Sequence, residues 1–150
     1  MMNVIEGTVE PGDQRGRLLG FPTANIALPD HGIDDGVWAA LVRMEPERWA
    51  AAAVSVGRRR TFYAEKGQRL LEAHLIDVDE DLYGRKIRVE MAVKLRSQRV
   101  FPDIQSLTDQ LRQDVQQARE WAASKYPGLV SPLDAYPPTT GSVALKMSYA

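Results

Sequence analysis

The residues of this chain best suited to chemistry lie where Gly16-Arg17-Leu18-Leu19-Gly20 runs into Phe21-Pro22-Thr23-Ala24-Asn25-Ile26. Glycines let backbone N–H groups approach an anion, and Arg17 adds a fixed positive charge. Thr23 and Asn25 offer hard oxygen atoms of the kind magnesium accepts. The stretch reads as a phosphate and metal site. Loop composition leaves a second reading open, in which Gly12, Gly16 and Gly20 are turn residues and Thr23 only begins a strand. The spacing lacks the Lys-Ser/Thr ending of a Walker loop, and no dinucleotide fingerprint leads a strand into a helix. Any nucleotide binding here is therefore of another type.

A second group lies at Leu70-Leu71-Glu72-Ala73-His74-Leu75-Ile76-Asp77. On a strand, Leu70, Glu72, His74 and Ile76 share one face, which leaves Glu72 between an apolar residue and a polar one, partly shielded and rigidly aimed. Phosphoryl transfer to an alcohol needs a base within hydrogen-bond reach of the attacking hydroxyl, and a strand-borne carboxylate can serve. Read alone, a strand carboxylate such as Glu72 is more often an exposed member of a surface pair, and His74 either orients it or is a satisfied structural partner. Further on, Arg96 and Phe101 present a planar cation and an aromatic face. By pattern alone Phe101 is a plug under the following helix.

The elements that must position these residues are short. A β-type run from Asn3 to Val9 ends at Pro11-Gly12, and the loop that follows is long enough to mark a function. Gly36 to Val42 and Ala50 to Val56 read as strands, although the alanines leave the second open to a helical reading. Leu70 to Asp77 is another. The clearest is Lys86 to Arg96, where Ile87, Val89, Met91, Val93 and Leu95 alternate with Lys86, Arg88, Glu90, Lys94 and Arg96. After Phe101-Pro102 the period lengthens, and Leu107, Leu111, Val115 and Ala118 form one helical stripe with Ser106 and Asp109 as its capping pair. Strands followed by one helix predict a small antiparallel barrel or sandwich with the helix packed across it. The first 125 residues form that unit; residues 126–150, with prolines at 127, 132, 137 and 138, form a tail that lies along the surface or is partly disordered.

Composition narrows the function classes. The 150 residues, 44% of them hydrophobic, suffice for one core. With 19 basic against 20 acidic residues the net charge is -1, so no global field points to nucleic acid, and any anion site must be local. The absence of cysteine excludes disulfides, thiolate catalysis and cysteine-ligated zinc, and two histidines make no metal cluster. Neither a secretory leader nor a membrane-length apolar run is present, so a cytoplasmic protein without a membrane partner is expected.

Six motifs in order give these residues a context. Glu6 to Ile26 closely resembles the start of the riboflavin kinase family, which also forms the C-terminal module of bifunctional bacterial FAD synthetases. Gly36-Val37-Trp38-Ala39, Val54-Ser55-Val56-Gly57, Leu71-Glu72-Ala73-His74-Leu75-Ile76-Asp77, Asp81-Leu82-Tyr83-Gly84, and Leu95-Arg96 with Phe101 are similar to later family motifs in the same order. The resemblance covers roughly residues 5–122.

It implies a mainly β fold: a six-stranded antiparallel Greek-key β-barrel with a C-terminal α-helix. It also implies riboflavin and Mg·ATP as substrates, and FMN and ADP as products. Thr23 and Asn25 would hold magnesium and the nucleotide phosphates, and Gly12, Gly16 and Arg17 would close over ADP. Glu72 would be the general base beside the flavin, which Arg96 and Phe101 would also contact. A monomer is expected, with no adenylyltransferase domain ahead of Met1 and so no FAD synthesis. The chain departs from the bacterial Asn-Ile-Gly-x-Arg-Pro-Thr-Phe motif at Ser55 and Arg60. The run Arg58-Arg59-Arg60 reads as a solvated turn, a phosphate contact or an RNA contact. A catalytically silent flavin- or nucleotide-binding barrel is the alternative to an enzyme.

Overall fold

Six strands and one helix account for the regular structure of the computed structural model, which describes residues 3–11, 20–28, 32–58 and 69–130. The strands are β1 (Asn3–Thr8), β2 (Ala24–Ala27), β3 (Gly36–Glu45), β4 (Arg48–Arg58), β5 (Arg69–Leu75) and β6 (Lys86–Arg96), followed by helix α1 (Ile104–Lys125). All pairings are antiparallel, in the order β1-β6-β3-β4-β5-β2. The two edges are joined where Glu10, just past β1, bridges Asn25 of β2, the Glu10 N–H donating to the Asn25 carbonyl at 2.7 Å. The sheet is thus a nearly closed barrel, as the motif order implies. Gly7 makes this closure possible, since a Cβ at that position would lie 2.5 Å from Ile26 Cγ2.

Strand alternation divides the side chains into two layers. Ile26, Val42, Ala52, Val54, Leu71, Ala73, Ile87, Val89 and Met91 fill the barrel. Ala39, Ala51, Ala53 and Ile76 face outward and pack beneath Val115, Ala118 and Ala122 of α1. This resolves the ambiguity of the alanine run in β4. Both of its faces are covered, one by the barrel core and one by the helix, so no polar alternation marks it as a strand. The small outward side chains also let α1 approach closely. Among the described residues no helix is long and apolar enough to cross a membrane.

Three local expectations need correction. β6 has the predicted bounds, but Val93 is 42% exposed. Register shifts against β3 fall between Val37 and Trp38 and between Ala39 and Ala40, so that one step along β3 opposes two along β6. The bulge at Ala39/Ala40 turns Val93 outward opposite Ala39, and the one at Val37/Trp38 restores Arg96 to the outer face. The run from Leu70 leaves the sheet after Leu75, because Asp77 takes a left-handed φ of 61°. Helix α1 starts earlier than the Ser106 and Asp109 pairing implies: its N-cap is Asp103, whose carboxylate accepts the Ser106 N–H at 2.7 Å. That bond holds the exposed Asp103 carboxyl below the usual carboxylate range.

Two bidentate ion pairs seat the helix. Arg96 at the end of β6 donates from its Nε and a terminal nitrogen to Asp114 at 2.8 and 2.6 Å, and Arg119 donates to both oxygens of Asp77 at 2.9 and 2.8 Å. Asp114 and Arg119 are buried on the helix, in line with Val115, Ala118 and Ala122. The closure of the barrel is testable. Gly7→Ala should lower unfolding free energy by about 1–3 kcal/mol through overpacking. Combined with Ile26→Ala, which removes the obstructing methyl, the two losses should sum to less than their separate values in denaturant titrations.

Candidate active site

Strand register brings together residues far apart in the chain. Asn25 of β2 is opposite Glu72 of β5, Glu72 is opposite Ser55 of β4, Ser55 is opposite Val37 of β3, and Val37 is opposite Arg96 of β6. Directly opposed residues point to the same side of a sheet, so these five form one row across the outer face of the barrel. The row spans four strand spacings of about 4.8 Å each. Helix α1 and the segment 97–103 overhang it, enclosing a groove of about 940 Å³ lined by Thr23, Ser55, Glu72, Arg96, Phe101 and Leu111, among others.

At the β2 end, the Thr23 hydroxyl lies 3.3 Å from Asn25 Oδ1 and donates to it. Asn25 is buried and fixed through its backbone by β5 and by Glu10; Thr23 is half-buried at the groove wall. Among the described residues, no three His, Cys, Asp or Glu side chains are grouped to hold a metal ion. Two neutral oxygens without an acidic cage suit a hard cation that takes its remaining ligands from phosphate oxygens and water. Glu72 lies half-buried on the groove floor, second in the row, between Asn25 and Ser55.

At the other end, the Arg96 fork is engaged by Asp114, which also accepts from Gln110 at 2.9 Å. The guanidinium groups of Arg96 and Arg99 lie 5.8 and 5.1 Å from the centre of the Phe101 ring, within cation–π range. Gln98 secures the overhang: its amide nitrogen donates to Ser55 Oγ at 2.9 Å and to the Val56 carbonyl at 3.0 Å. Neither Gln98 nor Asp114 belongs to a motif of the sequence. Asp114 had a signal, an acid beside Val115 within the apolar stripe; Gln98 had none.

His74, beside Glu72 on the same face, is buried with its Nδ1 2.7 Å from the Pro22 carbonyl and its ring edge-on to Phe21 at 5.7 Å. A carbonyl only accepts, so Nδ1 carries the proton and Nε2 is the bare nitrogen. Nε2 has no hydrogen-bond partner among the described residues. Burial pushes the imidazole below its ordinary value of 6.5; the Pro22 bond opposes that shift, Arg119 adds to it and Asp77 opposes it. Gly12, Gly16 and Arg17 lie outside the described residues, as do Arg59 and Arg60; Arg58 ends β4 at the groove margin.

A nearly closed six-stranded barrel with a groove on its outer face beneath a C-terminal helix defines the architectural class. A family model described as riboflavin kinase (Flavokinase) matches residues 2–122, and the chain belongs to that family. It is 36% identical over 114 residues to the RNA-binding riboflavin kinase RibR of Bacillus subtilis (strain 168), covering 76% of this chain and 49% of that protein. It is also 36% identical over 117 residues to the bifunctional riboflavin kinase/FMN adenylyltransferase of the same organism, covering 76% of this chain and 37% of that one. The chain therefore spans less than half the length of these curated relatives. The crystal structure of riboflavin kinase from Trypanosoma brucei superposes with a TM-score of 0.57 at 26% identity, covering 84% of this chain and 82% of that one.

Two measurements probe the groove's supports. Asp114→Ala should lower stability by about 3–5 kcal/mol, because it strands the Arg96 guanidinium in a largely enclosed site. For His74 the folded group binds a proton less readily than the unfolded one, so its contribution is complete above 6.5 and falls as pH drops below that value toward the lowered folded one. The midpoint of urea unfolding should accordingly fall on acidification from neutrality, and His74→Asn should reduce that dependence, with His31 common to both proteins.

Proposed function

We propose that the chain is a riboflavin kinase, transferring the γ-phosphate of ATP to the ribityl 5′-hydroxyl of riboflavin to give FMN and ADP. The observation that carries this reading is the position of Glu72 in the row, with the Thr23 and Asn25 oxygens on one side and Ser55, Arg96 and Phe101 on the other. A carboxylate between a phosphate-side oxygen pair and an aromatic wall is where an alcohol and a phosphoryl group must meet.

In this reading Glu72 accepts a hydrogen bond from the 5′-hydroxyl and takes its proton as the oxygen attacks the γ-phosphorus. The new O–P bond forms as the bridging bond to ADP breaks, ADP leaves with that electron pair, and Glu72 returns its proton to solvent. Thr23 and Asn25 would hold magnesium, which when bound offsets phosphate charge. By resemblance, Gly12, Gly16 and Arg17 close over the nucleotide. Phe101 offers an aromatic surface to the flavin ring, while Arg96, engaged by Asp114, keeps that surface and the helix in place.

Glu72→Gln removes the base but keeps its shape and hydrogen bonding. Quenching of riboflavin fluorescence should report nearly unchanged flavin affinity, while chromatographic FMN formation from riboflavin, ATP and magnesium should fall by about 10²–10⁴-fold. Unchanged turnover would remove Glu72 from the mechanism. Saturable flavin binding by the wild type without ATP consumption would instead identify a binding module.

A further inference from the structure

The β2–β5 ladder runs from Ala27 opposite Leu70 to Ala24 opposite Ala73 and stops there. The chain ahead of Ala24 is Pro22-Thr23, and Pro22 has no N–H with which to prolong the ladder. His74, the next residue of β5, supplies a connection of another kind, its Nδ1–H reaching the Pro22 carbonyl at 2.7 Å. The donor is itself immobilised: the ring is buried, and Phe21, immediately before Pro22, packs edge-on against it. Pro22 C=O and Thr23 N–H belong to one planar peptide unit. Anchoring the carbonyl therefore sets the plane from which the Thr23 side chain departs, and Thr23 in turn donates to Asn25.

From this geometry we infer that His74 is a positioning residue for the nucleotide side of the site, holding the Pro22-Thr23 peptide, and through it the Thr23 and Asn25 oxygens, in register with Glu72. The inference rests on the kinase reading. His74 touches neither the reacting hydroxyl nor the phosphate in this role, and takes no proton. It acts as a neutral donor through Nδ1 and links the strand of the proposed base to the segment of the proposed metal ligands.

The experiment compares wild type, His74→Leu and His74→Asn as the full 150-residue chain. Mg·ADP binding is measured by calorimetry, riboflavin binding by fluorescence, and KM for each substrate in steady state. His74→Leu should weaken Mg·ADP binding and raise the KM for ATP by about tenfold, with riboflavin affinity and KM within about twofold of wild type. His74→Asn places an amide donor near the position of Nδ1 and should recover most of the nucleotide affinity. Equal losses for both ligands, or unchanged Mg·ADP affinity in folded His74→Leu, would overturn the inference while leaving the kinase reading intact. If His74→Leu does not fold, His74→Asn decides: a folded protein with nucleotide affinity lowered by about tenfold overturns it. Wild type without affinity for Mg·ADP overturns both the inference and the reading on which it rests.

Discussion

The groove exists because α1 is held against the outside of the barrel, and the two arginine–carboxylate forks fix how it is held. Ala39, Ala51 and Ala53 let the helix approach, but a small apolar contact of this kind permits sliding and rotation. Arg96 on Asp114 and Arg119 on Asp77 do not, since each planar fork meets its carboxylate in one orientation. Buried ion pairs add little net stability over apolar residues of equal volume. What they define here is register: one pair ties the helix to the end of β6 and the other to the turn after β5, on either side of the alanine layer. The left-handed φ of 61° at Asp77 is compatible with a short polar side chain and puts its carboxylate within reach of Arg119.

Given that wall, the floor follows from strand register. The row from Asn25 through Glu72, Ser55 and Val37 to Arg96 depends on each pairing being in phase, because a slip of one residue would send the side chains of that strand into the barrel. β6 shows how closely this is met. A single bulge would leave Arg96 inside; two bulges return it to the outer face, with Val93 left facing outward between them. Gly36 accommodates the crowding there, with a φ of 146° and the Arg96 carbonyl 2.6 Å from where a Cβ would lie. The fork that seats the helix and the row that forms the floor thus share Arg96, so wall and floor are set by one side chain.

Much of this architecture is legible in the residues, and the illegible parts have identifiable causes. Lys86 to Arg96 is bounded correctly by alternation alone, and the motif order implies the barrel and its closing helix. The face of Val93 is not readable, because a bulge is a property of two strands and not of one. The alanine run of β4 is ambiguous because helix and barrel core cover it from both sides. The start of α1 is misjudged because Ser106 is the residue whose N–H is capped, and the capping carboxylate lies three residues earlier. At the groove, Thr23, Asn25, Glu72, Arg96 and Phe101 stand out by type and motif, yet their alignment is a matter of pairing that no single segment encodes. Gln98 is a polar residue in an irregular segment, and only the folded strands show the Ser55 hydroxyl and Val56 carbonyl it joins.

The charges around the groove bear on how the triphosphate of the proposed reaction would be received. Arg96 is matched by Asp114 and Arg69 by Asp35, the latter pair 2.7 Å apart. Charges closed in pairs at such short range leave little field beyond them. His74 adds none, since burial favours its neutral form. The whole chain, at a net charge of -1, supplies no compensating background. In the kinase we propose, phosphate charge would be met by a bound divalent cation and by Arg58 and Arg99, which also line the groove. As proposed ligands of that cation, the neutral oxygens of Thr23 and Asn25 would suit the arrangement better than carboxylates. A carboxylate ligand would bring a further negative charge beside the phosphates, whereas a hydroxyl and an amide orient the cation and leave its charge available to them. In that reading Glu72, directly opposite Asn25, is the one carboxylate of the row, and its negative charge would serve to accept a proton.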